Sequence, residues 1–566
     1  MLFWFVIFTH LLIKVSLMSQ FYFSDFTSIV TLIFNDLVIL SIICFIYTLS
    51  EVLLKKTRYI FKVFAFLIFI CYVIDFILLT KLNSRLYLSD ITKFQHHIIT
   101  VIGWKYTLIS IFYLSIILYT FTYKSNITYT NKFTAFVTAI SLFSFFHASS
   151  GNFYSESSLR EKSVRSEYFD NIININMNNT FKVEYTDEFV KSFNSNSKLH
   201  CEELNIEAPN NIFLILVESW SNYQSLAFGG TNNWTENLDN LANNNIKFEN
   251  FYSNGFTTEA ALYSLFTGFP LLPSRKSTTA SGGVGLLNMS DGESLIKKIG
   301  NSGYLTQFIT SGDLQFLDKR AWLERIGFEK ILGNEVYPDE NKKFLFDSVS
   351  DENLFTSIES FLDGKSRQFV VIENVSTHAP FIFPDEYGEV NQSEAGAFKY
   401  MDTHLSELIN SLNKDNNLIF VLSDHRAPTK ITEEEDKYSG LLSMAKVPAF
   451  AIWNGLNLSI KNRIQHTDII TSVHNLIIGK RCYRDYYGSL FPLENTTPAT
   501  CIIHSRGDDR SLATLKCKDD VAFNIRLNGD KTSVYKENNK QNSSMKDNEY
   551  VNIINNIRIK QAIESK

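Results

Sequence analysis

Apolar and polar positions divide this chain into two unlike parts. Five long apolar stretches, roughly 1–18, 29–54, 60–80, 106–123 and 133–149, crowd the first 150 residues. Each approaches the ~20 residues a helix needs to cross a bilayer core. A soluble fold rarely sets five such stretches so close together, so the pattern predicts five membrane-spanning helices over residues 1–150. The first stretch lacks a basic leader, contains His10 and Lys14, and has no small-residue cleavage site, so it reads as a span and not as a removable signal.

Beyond residue 150 the pattern changes. Residues 151–208 are polar and read as a linker with short helices, Glu184 to Phe193 being one. Short apolar runs follow, each closed by polar residues: Asn211–Val217, Leu305–Ile309, Phe369–Ile372, Leu418–Leu422 and Val447–Ile452. Helical periodicity lies between them, as in Glu293–Ile299 and Tyr400–Leu412. Continuous apolar strands alternating with helices predict an α/β domain over 209–518, its mainly parallel sheet covered on both faces. From 519 to 566 the chain is rich in Asn, Lys and Asp and is expected to be a loosely packed polar tail.

Composition matters only once it is divided this way. The 45% hydrophobic content, net charge of −6 and mean hydropathy of −0.04 average an apolar third with a charged remainder. A mildly acidic balance without a basic block gives no reason to expect a nucleic acid partner. Lys55, Lys56 and Arg58 occupy the connection between the second and third stretches, and Lys124 and Lys132 flank that between the fourth and fifth. The positive-inside bias puts both loops in the cytoplasm and everything after residue 150 outside. Cys44 and Cys71 fall in expected spans. Cys201, Cys482, Cys501 and Cys517 fall in the outer part, where an even number of cysteines is compatible with an oxidising compartment and leaves three pairings open.

The candidate chemistry follows the strands. The first run leads into Glu218-Ser219-Trp220, the second into Thr310-Ser311-Gly312-Asp313, the third into Ser376-Thr377-His378 and the fourth into Ser423-Asp424-His425. Loops at the carboxyl ends of parallel strands converge on one crevice, so residues some 200 positions apart should meet. Glu218, Asp424 and His425 make a two-carboxylate, one-imidazole set suited to manganese, zinc or magnesium. Taken alone, an Asp-His pair in a loop is more often a turn beside a surface histidine. In Asn254-Gly255-Phe256-Thr257-Thr258-Glu259, hydroxyl residues open a helix. Either threonine would serve as an N-cap, and a helix N-terminus also favours an incoming phosphate.

These motifs, in this order, resemble the alkaline phosphatase and sulfatase superfamily: strand-Glu-Ser, Thr at a helix start followed by Leu265-Phe266-Thr267-Gly268, Ser376-Thr377-His378-Ala379-Pro380-Phe381, Ser423-Asp424-His425, and Gln465-His466-Thr467-Asp468-Ile469. Behind five apolar stretches they resemble the lipoteichoic acid synthases and related phosphoglycerol transferases. The resemblance implies an extracytoplasmic sulfatase-like domain carried by a multi-pass protein of the bacterial inner (cytoplasmic) membrane. It implies one divalent metal, manganese first, held by Glu218, Thr258, Asp424 and His425, with Thr258 as nucleophile and His378 assisting. Arg320, in Lys319-Arg320-Ala321-Trp322, is the expected phosphate grip, with Lys319 as the alternative. Counting back nine residues from Thr267 selects Thr258; a Gly-Lys-Thr pattern would select Thr257. The implied donor is a phospholipid such as phosphatidylglycerol, and the acceptor a surface glycan or glycolipid. The rival readings are phosphoethanolamine transfer to lipid A or a surface glycan, and a catalytically inactive membrane sensor on the same fold.

Overall fold

The computed structural model describes residues 58–82 and a few isolated positions of the first 185, then 186–192, 199–272 and, with short breaks, 294–564. Two compact units divide the chain, Met1–Phe181 with Lys536–Lys540 and Lys182–Tyr535 with Gln541–Lys566. In the first unit, helix α1 (Arg58–Leu82, 25 residues) coincides with the third apolar stretch. Ala65, Phe69 and Tyr72 are buried, while Ile60, Phe64 and Leu67 are exposed. Side chains are described over 59–74 of it. No helix among the described residues is long and apolar enough to cross a membrane. The other four expected spans and residues 151–185 of the expected linker lie outside the described residues, apart from isolated positions.

The second unit is built on an eight-stranded sheet. Its strands are β1 (Asn211–Val217), β2 (Ile246–Tyr252), β3 (Tyr304–Thr310), β4 (Lys330–Leu332), β5 (Arg367–Glu373), β6 (Asn417–Ser423), β7 (Ala449–Ile452) and β8 (Leu458–Gln465), in the order β8-β2-β7-β6-β1-β5-β3-β4. All pairs are parallel except those of β7, which runs antiparallel between β2 and β6. Side chains alternate across a strand. Ile212, Leu214 and Leu216 of β1 therefore enter one core, while Phe213, Ile215 and Val217 enter another. Helices α3 (Thr258–Thr267), α4 (Leu295–Asn301) and α9 (His466–Ile477) contribute to the first core. Helices α2 (Glu236–Asn244), α6 (Asp351–Phe361) and α7 (Glu394–Leu412) contribute to the second. Burial on both faces is why these strands read as unbroken apolar runs.

Two features depart from expectation. Val447–Ile452, expected in a mainly parallel sheet, supplies its antiparallel strand. The described parts of the expected polar tail are folded: β11 (Phe523–Asn528) and β12 (Lys531–Tyr535) extend an antiparallel sheet begun by β9 (Cys501–Ser505) and β10 (Leu512–Cys517). Helix α10 (Met545–Glu564) then buries Ile553, Ile554 and Ile557 in the first core. The four outer cysteines pair as Cys201–Cys482 and Cys501–Cys517. Strand register sets the site: Leu216 lies opposite Glu373, Val217 opposite Ser423 and Thr310 opposite Glu373, so β1, β3, β5 and β6 end at one edge.

Candidate active site

Glu218 and Asp424 each sit one residue past a buried strand and His425 two, held by their backbone. The Glu218 N–H donates to Asn374 Oδ1 (2.8 Å), and its carbonyl accepts from Thr377 Oγ1 (2.7 Å). Ser219 has φ of +60°, a left-handed conformation that costs a non-glycine residue about 1–2 kcal/mol. Two hydrogen bonds to carboxylates offset that cost: its N–H donates to Asp424 Oδ1 (2.8 Å) and its hydroxyl to Glu218 Oε1 (2.7 Å). His425 faces the carbonyl of Arg426 through Nδ1 at 2.9 Å. A carbonyl only accepts, so Nδ1 carries a proton and Nε2 is the nitrogen turned toward the carboxylates. That nitrogen is 3.5 Å from Glu218 Oε1 and 3.3 Å from Asp424 Oδ2.

Ligand atoms of Glu218, Asp424 and His425 all lie within 4.8 Å of one another, and all three residues are buried. Asp424 Oδ2 is buried without a hydrogen-bond partner, an arrangement that is costly for a carboxylate oxygen. Burial and then the neighbouring Glu218 charge push Asp424 well above the ordinary carboxylate range. Burial also acts to raise Glu218, but His425, His378 and the Ser219 hydroxyl outweigh it and hold the group at about 2. Two carboxylates crowd one point, one of them ionised and the other short of positive charge. Together with an imidazole nitrogen, that donor set fits a divalent cation.

The two threonines are separated by function at the start of α3. Thr257 is the N-cap, its Oγ1 accepting from the Ala260 N–H at 3.4 Å. Thr258 turns the other way: its hydroxyl donates to Glu218 Oε2 at 3.0 Å and lies 3.4 Å from His425 Nε2. It is half-buried. One hydroxyl therefore faces the acidic cluster, at the first turn of a helix.

Residues 210–479 match the sulfatase family. Over that stretch the chain is sulfatase-like, and it is similar in fold to solved members of the alkaline phosphatase superfamily. A protein of that superfamily from Vibrio parahaemolyticus superposes with a TM-score of 0.50 at 18% identity, covering 69% of this chain and 97% of its own. The lipoteichoic acid synthase LtaP from Listeria monocytogenes gives 0.47 at 18% identity, covering 69% and 96%. The Streptococcus pyogenes phosphoglycerol transferase GacH, solved with sn-glycerol-1-phosphate, gives 0.38 at 16%, covering 52% and 83%.

The remaining residues of this sulfatase-like site divide into near and far. His378 is half-exposed after β5, its Nδ1 2.6 Å from the Ala379 carbonyl and its ring edge-on to Phe346 at 4.9 Å. It directly follows Thr377, whose hydroxyl donates to the Glu218 carbonyl at 2.7 Å, so it lies beside the cluster. Arg320 is elsewhere. Its guanidinium donates to the Ile331 carbonyl at 3.1 Å and pairs with Glu335, which ties α5 (Lys319–Ile326) to the far edge of the sheet. The neighbouring Lys319 instead reaches the buried Glu373 at 2.7 Å, and Glu373 in turn feels the charges of Glu218 and Glu259. Of the two cations considered from sequence, Lys319 is the one electrostatically linked to the cluster.

Sequence reasoning missed the support beneath Glu218. Asn374 accepts from Glu218 and donates to Thr377 Oγ1 (3.0 Å) and Asp351 Oδ2 (2.8 Å). Asp351 also takes the Ser376 hydroxyl and the N–H groups of Val375 and Ser376, both at 3.3 Å. The available signal was position: Asn374 follows an apolar strand as directly as Asp424 does. His466, at the start of α9, is fully buried between the Ser423 carbonyl (2.9 Å) and the Asn254 N–H (3.4 Å). Burial holds its pKa down at about 4. It braces the end of β6 as a neutral group.

Proposed function

We propose that this chain is a membrane-anchored phosphotransferase that moves a phosphoglycerol head group from a phospholipid to a cell-surface glycan or glycolipid through a phosphothreonine. The observation that carries this reading is the Thr258 hydroxyl, 3.0 Å from Glu218 and 3.4 Å from His425 while Thr257 is occupied as a cap. In the first half-reaction a Thr258 Oγ–P bond forms and the P–O bond to diacylglycerol breaks, the hydroxyl proton ending on the departing oxygen. In the second, an acceptor oxygen–P bond forms, the Thr258 Oγ–P bond breaks, and the acceptor's proton returns to Thr258. His378, half-exposed beside the cluster, is the group to carry these protons. Lys319, beside Glu373, supports charge developing on the phosphoryl oxygens.

Glu218, Asp424 and His425, with Thr258, would hold a divalent metal, for which we favour manganese over zinc or magnesium. When bound, that ion supplies positive charge that stabilises the attacking oxygen and the phosphoryl group. A threonine in place of the Cys or Ser nucleophile of sulfatases, with Ala260 and Leu262 in place of the Pro and Arg that follow it, disfavours sulfate ester hydrolysis. The apolar N-terminal third supports an anchored enzyme, because a phospholipid donor and its diacylglycerol product both stay in the bilayer. Incubating the purified chain with phosphatidylglycerol and no acceptor, then mapping peptides by mass spectrometry, tests the mechanism. A phosphoglycerol adduct is expected on Thr258. An adduct carrying phosphoethanolamine from the matching lipid, and none from phosphatidylglycerol, would replace the donor.

A further inference from the structure

A cavity of about 500 Å³, within the range of sites that bind small molecules, opens between the segments that follow Glu218 and His425. Its walls are continuations of the two ligand-bearing loops. One wall is Asn222–Thr231, which begins four residues after Glu218, a reach of about 14 Å at most along the chain. The other is drawn from Thr432 to Lys446, beginning seven residues past His425. The two walls are locked together and to the cluster by Arg426. That fully buried guanidinium pairs with Glu435 through two 2.8 Å bonds, and it lies 5.2 Å from the Tyr223 ring.

The lining chemistry is selective. Tyr223, Phe228 and Tyr438 supply aromatic surface, and Tyr438 is 77% exposed at the rim. Asn222 is only 8% exposed, and its Oδ1 is buried without a hydrogen-bond partner. A buried acceptor left unpaired calls for a donor. Glu249 is paired with Lys247 at 3.5 Å and Glu435 with Arg426 at 2.8 Å, which leaves Glu434 and Lys446 as opposite charges of the lining. The lining is thus balanced in charge, and a hydroxyl-rich neutral or amino group meets acceptors and flat apolar faces.

Resting on the phosphotransferase reading above, we propose that this cavity is the acceptor subsite and that it holds a neutral or amino sugar residue of the receiving glycan. The sugar's hydroxyl or amino donors meet Asn222 and Glu434, and its apolar face lies on Tyr438. The test uses the full chain in detergent micelles with β-linked trimers of glucose, N-acetylglucosamine and glucosamine, followed by saturation-transfer NMR and titration. At least one trimer is expected to bind saturably. Tyr438→Ala and Asn222→Ala should each weaken binding tenfold or more, while Thr258→Ala binds as the wild type does. Tyr438→Ala, altering an exposed ring, keeps the test valid if Asn222→Ala does not fold. No binding by any trimer, unchanged binding in both variants, or displacement by inorganic phosphate would each overturn the assignment. The Thr258 adduct is scored separately on the same protein: an adduct without sugar binding sinks the subsite alone, and sugar binding without an adduct sinks the transferase reading.

Discussion

At the scale of single residues, the decisive contrast is between neighbours of one type. Thr257 and Thr258 were indistinguishable in the sequence, because either suits a helix start. Backbone direction separates them, since an N-cap hydroxyl folds back on its own helix and the next side chain projects outward. Thr258→Ala should therefore abolish head-group transfer with the fold intact. Thr257→Ala should keep transfer and lose only about 1 kcal/mol of stability, the usual worth of a cap. Transfer assays paired with thermal melts check both, and equal loss of transfer in the two variants would return the nucleophile to question. The meeting of Glu218, Asp424 and His425 was legible for a simpler reason: they follow continuous apolar runs, and strand ends converge. Removing Asp424 and His425 together should strip bound divalent metal from the purified chain, read by elemental analysis. Undiminished metal content in that double variant would refute the cluster as a cation site. Arg320 illustrates the limit of spacing arguments. Lys319 and Arg320 are adjacent on a helix and point about 100° apart, so one residue of offset sends one to Glu373 and the other to Glu335.

Among elements, legibility followed burial pattern. Strands buried on both faces, such as β1 and β6, stand out as unbroken apolar runs. β2 carries Lys247, Glu249 and Asn250 among its apolar positions, and β8 carries Lys461 and Arg463, so neither has that signature. Helix α10 hid for a similar reason: Asn and Lys on its outer face mask Ile553, Ile554 and Ile557 on its inner one. Helix α9 carries a testable electrostatic property. Asp468, in its first turn, accepts the N–H groups of Gly488 (2.6 Å) and Gln465 (3.0 Å), yet burial outweighs both and lifts its pKa from 3.8 to about 7. Between those values the folded chain keeps a proton that the unfolded chain has released. Stability should therefore fall as pH rises from about 4 to 7, by a contribution on the order of 4 kcal/mol. Asp468→Asn removes the titration, so denaturant melts across that interval should show a shallower decline than the wild type. Parallel declines in the two proteins would mean that Asp468 keeps an ordinary pKa.

For the whole molecule, the question is where the catalytic unit faces. We propose, from the positive-inside bias of the basic residues near the apolar stretches, that Lys55–Arg58 lie in the cytoplasm and the chain after residue 150 outside. The disulfides bear on the same point from different physics. Cys201–Cys482 and Cys501–Cys517 use all four cysteines beyond the apolar third, and such bonds persist in oxidising compartments and are rare in the cytosol. Position along a strand pair explains why sequence left the partners open: Cys201 faces Cys482 and Cys501 faces Cys517 only through the registers of their strands. If the catalytic unit is outside, a membrane-impermeant amine reagent applied to intact spheroplasts should label Lys162 and spare Lys55 and Lys56 until the membrane is opened. A maleimide applied without reductant should leave all four outer cysteines unmodified, and reductant should expose them in pairs. Labelling of Lys55 and Lys56 in intact spheroplasts, with Lys162 protected, would turn the molecule inside out. It would also separate the enzyme from any surface glycan, because the acceptor would then lie across the bilayer from Thr258.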